Sequence, residues 1–176
     1  MTPIKKYYWL FPLTGGIISI FGLFIPVWYS ITAYEEYLWI WGLIEHISVG
    51  GVFDFLPPEL LIPGLITAIL ILIFSIVIIT FALFISRGKK LRFSTEKLWL
   101  IIGILELCIL IIYIIATDIG WDSYSQRINN SVQDFWSIYN FQFGLIIPFI
   151  GAALSIIGAI IGKLSKRENN KINSKS

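Results

Sequence analysis

LITAILILIFSIVIITFALFI, residues 65 to 85, decides how this chain is read. No charge interrupts it, and at 1.5 Å per helical residue it covers about 30 Å, the thickness of a bilayer's hydrocarbon. Leu60, Leu61 and Ile62 extend the apolar run at its start. Pro63 and Gly64 lie in the first turns of this segment, where a missing backbone donor costs least.

Three further blocks of the same kind flank it. Leu10 to Ile31 lies in a stretch with no charge between Lys6 and Glu35; Leu98 to Ala116 is interrupted by Glu106 alone; Phe143 to Leu164 carries none before Lys163. The whole chain is 57% hydrophobic and 14% charged over 176 residues, well beyond the 45–50% apolar content of a soluble domain. The expected fold is therefore an all-α integral membrane protein. It is a four-transmembrane-helix bundle formed by residues 1–164, with helices at about 10–31, 60–85, 98–116 and 143–164. Outer loops fall at 32–59 and 118–142, and a disordered basic tail at 165–176. The first block is too long for a signal h-region and no A-x-A site follows it, so an uncleaved signal anchor is expected.

Orientation follows from the bases. Twelve of the 13 Lys and Arg residues lie before the first block, between the second and third, or after the fourth, leaving Arg127 alone on the other side. Basic residues stay cytoplasmic, so both termini face the cytoplasm of a cell membrane. The outer loops hold eight of the 11 acids. The net charge of +2 is small and its distribution is segregated along the chain, so the total gives no ground for a nucleic-acid partner.

The first and fourth blocks share a spacing: Pro12, Gly15, Ser19, Gly22 against Pro148, Gly151, Ser155, Gly158, which is P-x2-G-x3-S-x2-G in both. Steps of three and four place these residues on one helix face, where small side chains allow close backbone approach. Gly162 extends the second stripe as G-x-x-x-G. The stripes are expected to pack against each other or against the two remaining helices.

Glu106 lies near the middle of the third block, so its carboxyl is expected to be protonated or paired, and to face protein. Ser19, Ser75 and Ser155 fall in about the same layer and are candidate hydrogen-bond partners. Such an acid serves either an interhelical hydrogen bond or a proton- or cation-coupled path.

The first outer loop reads YLWIWGLIEHISVGGVFDFL from Tyr37 to Leu56. Its aromatic and β-branched residues favour strands, and Gly50-Gly51 suggests a two-residue hairpin turn between ISV and VFDF. Trp39, Trp41, Gly42, Leu43, Phe53 and Phe55 are candidate contacts for a partner or for the membrane interface. Asn129-Asn130-Ser131 is a glycosylation sequon, with Asn129 as acceptor.

This pattern resembles the claudin and peripheral-myelin-protein superfamily of four-span proteins. Pro26-Val27-Trp28 closes the first block much as that family's does, and Trp41-Gly42-Leu43-Ile44 is similar to its tryptophan-G-L motif with the last aromatic replaced. The family's two loop cysteines are absent, since Cys108 is the sole cysteine and lies within the third block. The resemblance implies a strand-rich first outer loop, and an adhesion, barrier or accessory-subunit role with lateral assembly and no catalysis.

Catalytic readings find little to use. One cysteine and one histidine, His46, exclude thiol-pair, metal and histidine-dependent membrane chemistry, and no P-loop or dinucleotide glycine pattern occurs. No cofactor or metal is expected. Two functions remain: a structural or interaction protein whose partners are the lipid bilayer and a second copy or another membrane protein, and a small oligomeric proton- or cation-coupled transporter or channel using Glu106. The charge bias makes a direct prediction: Ser176→Cys in intact cells stays unlabelled by an impermeant maleimide and reacts after permeabilisation.

Overall fold

The computed structural model describes residues 7–30, 35–89, 94–128 and 134–173. In chain order these form α1 (Leu10–Gly22), β1 (Trp28–Ser30), β2 (Glu36–Leu38), β3 (Leu43–His46), a 3-10 turn (Ile47–Val49), β4 (Val52–Phe55) and α2 (Pro58–Ser86). There follow α3 (Thr95–Arg127), the single-turn α4 (Phe135–Ile138), β5 (Tyr139–Phe141) and α5 (Phe143–Asn173). The protein is mostly helical, and α2, α3 and α5 are each long and apolar enough to cross a membrane. Asn129 lies outside the described residues.

The first apolar block does not form the helix expected over 10–31. α1 has 13 residues and covers about 20 Å, short of a bilayer's hydrocarbon. Pro26 explains the stop: its ring lacks a donor and biases Ile25 away from helical dihedrals. The following Trp28–Ser30 has strand-forming side chains and pairs as β1 instead. α3 departs in the other direction, running eleven residues past Ala116 and carrying Asp118 and Asp122 on helix rather than in a loop. Its extension is tied down where Arg127 meets Glu59 of α2 at 3.2 Å. Residues 165–173, expected to be disordered, continue α5.

α2 shows how local chemistry sets helix ends. Pro57 precedes it and Pro58 opens it, at positions where no intrahelical donor is needed. Gly88 closes it at φ 70°, with Gly88 N–H donating to Ile85 and Lys89 N–H to Phe84, the paired bonds of a Schellman end.

The helices pack in a ring: α1 on α5 and α2, and α3 on α5 and α2. At the α1–α5 crossing the two P-x2-G-x3-S-x2-G stripes meet each other in antiparallel register. A Cβ on Gly22 would come within 2.7 Å of Pro148, and one on Gly15 would come within 3.0 Å of Ser155 Oγ while colliding with the Gly151 carbonyl. Gly151 faces Ser19, and Gly158 faces Pro12. Each proline or serine of one stripe thus occupies the notch left by a glycine of the other. Gly162, by contrast, lies against the Tyr8 ring and the Glu96 side chain.

Across one end of the ring lies a five-stranded antiparallel sheet in the order β4-β3-β2-β1-β5. The small hairpin expected in the first outer loop is therefore too modest: β1 comes from the end of the first apolar block and β5 from the second outer segment. Nor is Gly50-Gly51 a two-residue turn. His46 pairs with Val52, so a five-residue connection containing the 3-10 turn joins β3 to β4, with Gly50 and Gly51 at φ 88° and 75°. Between sheet and helices lies a core containing Val27, Trp28, Leu38, Ile71, Leu110 and Phe135. A second cluster, with Ile78, Ala82, Trp99, Ile102 and Ala159, fills the opposite end.

Gly15→Leu drives a side chain into backbone, so it is expected to lower stability by at least about 1–3 kcal/mol in detergent unfolding, while Ile17→Val on the outward face leaves the midpoint within error.

Candidate functional site

Three places bring functional side chains together: the sheet with its tight turn, the buried layer around Glu106, and a cleft at the end of the ring away from the sheet.

The sheet is anchored from below. Trp28, at the heart of the sheet, donates its indole N–H to Tyr113 Oη of α3 at 3.0 Å, and its ring meets Phe135 edge-on at 5.1 Å and Phe141 at 4.8 Å. Trp39 and Trp41 also turn inward. Their indole N–H groups donate to Phe24 O at 3.2 Å and Leu23 O at 3.0 Å, carbonyls freed where α1 stops. Between these tryptophans and β3 the chain reverses sharply: Gly42 N–H donates to Trp39 O, and Gly42 has φ 91° with Leu61 packed where a side chain would go. Glycine is required there on both counts. Leu43 begins β3 and is half-buried. Trp39, Trp41, Gly42 and Leu43 accordingly serve the attachment of the loop. Phe53 and Phe55 do not: they stand 58% and 62% exposed on β4.

One row of the sheet carries a polar relay. His46, Glu36, Ser30 and Tyr139 are successive cross-strand partners on β3, β2, β1 and β5. Glu36 lies between two of them, with Oε1 2.8 Å from His46 Nδ1 and Oε2 accepting from Tyr139 Oη at 2.8 Å. Burial, and then the neighbouring Glu36 carboxylate, push the Tyr139 phenol well above its ordinary range. The sequence gives no local sign of this contact, because its partners are separated by up to 103 positions.

Within the helices, Glu106, Ser19, Ser75 and Ser155 are all fully buried. Ser19 of α1 faces the Glu106 carboxyl. Of the three serines expected as partners, Ser19 lies against the acid, but the contact is outside hydrogen-bond geometry: neither carboxyl oxygen, nor Ser19 Oγ or Ser75 Oγ, has a partner within that geometry among the described residues. Ser155 is turned back on its own helix, donating to Gly151 O at 3.1 Å, as mid-helix serines do. Gly103, Leu110 and Tyr113, on the same side of α3 as Glu106, are buried with it. Among the described residues no three His, Cys, Asp or Glu side chains converge as a metal site.

No protein-family model and no curated protein matches this chain.

Because the Tyr139 phenol loses its proton less readily in the folded state than in the unfolded one, its contribution to stability is complete below pH 10 and declines as pH rises towards its folded value. Stability measured by unfolding between pH 8 and 11 is expected to fall above pH 10, by up to about 1.4 kcal/mol per pH unit for this group. Tyr139→Phe is expected to flatten that slope.

Proposed function

We propose that this protein is a non-enzymatic, multi-pass membrane protein of the claudin-like structural or interaction type, with four spans in a cell membrane and both termini cytoplasmic. It assembles laterally with a second copy or another membrane protein, and makes its contacts through the aromatic first outer segment. The observation that carries this reading is β4. It is the end strand of the sheet, so among the described residues one row of its backbone groups has no strand beside it, and all four of its residues, Val52–Phe55, are exposed. Strand residues alternate between faces, so exposure of both faces means that β4 stands clear of the helices. An open edge with Phe53 and Phe55 on one face is suited to strand addition or to aromatic contacts with a neighbour.

Four apolar segments, a sheet drawn mainly from the first outer segment and the bias of basic residues all support the claudin-like reading. The short α1 is compatible with a span, because the inward-turned Trp39 and Trp41 cover its terminal carbonyls and relieve the chain of exposed backbone at that depth. Catalysis has no support in the residues present: Cys108 has no thiol partner, and His46 is engaged by Glu36.

A second reading, an oligomeric proton- or cation-coupled transporter or channel, draws on the buried Glu106 carboxyl, which lies against Ser19 and has no partner within hydrogen-bond geometry among the described residues. Glu106 is enclosed by the helices of a single copy, however, so a path running between copies does not reach it.

Phe53→Glu combined with Phe55→Glu is expected to abolish higher assemblies on native gels and in cross-linking of membranes, with the thermal midpoint of the purified protein unchanged. Assembly that survives this pair of charges removes the interaction reading. In proteoliposomes, the wild-type protein is expected to pass no proton or cation flux; flux lost in Glu106→Gln establishes the transporter instead.

A further inference from the structure

At the end of the ring opposite the sheet, α3 and α5 part to form a cleft of about 370 Å³. We infer that this cleft seats the anionic head group of a membrane phospholipid, with an acyl chain lying along Leu100, Ile160 and Leu164. The inference rests on the reading of the chain as a membrane protein.

The rim of the cleft is basic. Lys97 of α3 and Lys163, Lys166 and Arg167 of α5 line it, and Glu96 is the sole acid among its lining residues. That acid is already occupied. Glu96 is 3% exposed, and its carboxylate takes Lys166 Nζ at 2.8 and 2.9 Å, Ser94 Oγ at 2.9 Å and Tyr8 Oη at 3.2 Å. Glu96 therefore neutralises Lys166 and pins α3 to α5, and Gly162 gives its side chain room to do so. Lys97, Lys163 and Arg167 remain exposed and form no ion pair among the described residues. Among the described side chains, three cations thus surround one opening with no acid left to balance them, an arrangement that suits an anion.

The floor decides what kind of anion. Leu100, Ala159, Ile160 and Leu164 line the cleft below the bases, and Ile160 and Leu164 are each 50% exposed on the outward face of α5. Below the rim, the cleft thus opens sideways onto the apolar surface that lipid would cover. A soluble phosphate would use the rim and leave this floor wet, whereas a phospholipid satisfies both, head group against bases and hydrocarbon against Leu and Ile. The volume, equal to about twelve waters, accommodates a head group together with the start of a chain.

The test uses the full-length protein in dodecylmaltoside micelles, titrated with phosphatidylglycerol or phosphatidylcholine, with bound lipid counted by native mass spectrometry. Phosphatidylglycerol is expected to be retained at least tenfold more strongly. Lys97→Gln, Lys163→Gln and Arg167→Gln together are expected to cut its retention about a hundredfold, at about fivefold per base. The charge-matched triple Arg87→Gln, Lys89→Gln, Lys175→Gln is expected to lose fivefold at most. Ile160→Trp keeps every charge but fills the floor, and is expected to weaken phosphatidylglycerol at least tenfold; it decides the matter if the cleft triple fails to fold by circular dichroism. Equal losses in the two triples, full retention in Ile160→Trp, displacement by equimolar glycerol phosphate, or no preference between the lipids would each overturn the proposal. A chain that stays monodisperse without detergent sinks the membrane reading itself, whereas loss of lipid preference in micelles sinks only this site.

Discussion

The crossing of α1 and α5 is the contact on which the other packing depends. In hydrocarbon, apolar burial gives helices little reason to associate, so association relies on close van der Waals contact over backbone. Here one motif, read once in each direction, supplies that contact: Gly22 against Pro148, Ser19 against Gly151, Gly15 against Ser155 and Pro12 against Gly158. Both helices need the same spacing because an antiparallel pair brings the start of one motif to the end of the other. With that pair fixed, α2 and α3 close the ring on its other side, and Glu106 and the serines are enclosed at its centre.

The sheet resolves a difficulty that the helices create. α1 covers only about 20 Å, less than a bilayer's hydrocarbon, and its last carbonyls are left open where Pro26 stops the helix. The tryptophans of the β2–β3 turn supply donors to Leu23 and Phe24, and Trp28 ties β1 to Tyr113 on α3. The sheet is thus attached to the helical ring through three indole hydrogen bonds and an aromatic core, while Glu36 joins its strands laterally through His46 and Tyr139. Such attachment leaves β4, the strand farthest from β5 and β1, to face outward without weakening the rest.

The two ends of the molecule therefore differ in chemistry. At the sheet end, the available groups are the edge of β4, open among the described residues, and the exposed rings of Phe53 and Phe55. At the opposite end they are cations above an apolar floor, joined by a buried Glu96 that binds one lysine and leaves three bases available. The buried acid in the middle is accessible to neither end in this arrangement, and its enclosure weighs against a role shared between copies.

Residue order alone pointed to the solvent: apolar runs of about 20 residues suit hydrocarbon, and three of them form helices long and apolar enough to cross it. It also determined which faces carry small residues, because helical periodicity is local, and which residue stands buried at the centre of the third block. The tertiary structure decided where helices end and who meets whom. Hydropathy placed the end of the first helix at Ile31, whereas Pro26 and the pairing of β1 with β2 and β5 ended it at Gly22. Hydropathy likewise ended the third at Ala116, although helix continues while it has packing and an ion pair to hold it. The sheet's fifth strand, the inward turn of Trp39 and Trp41, and the Glu36–Tyr139 contact were invisible for a common reason. Each joins residues far apart in the chain, and only the docking of distant segments brings those donors and acceptors within 3 Å or so of one another.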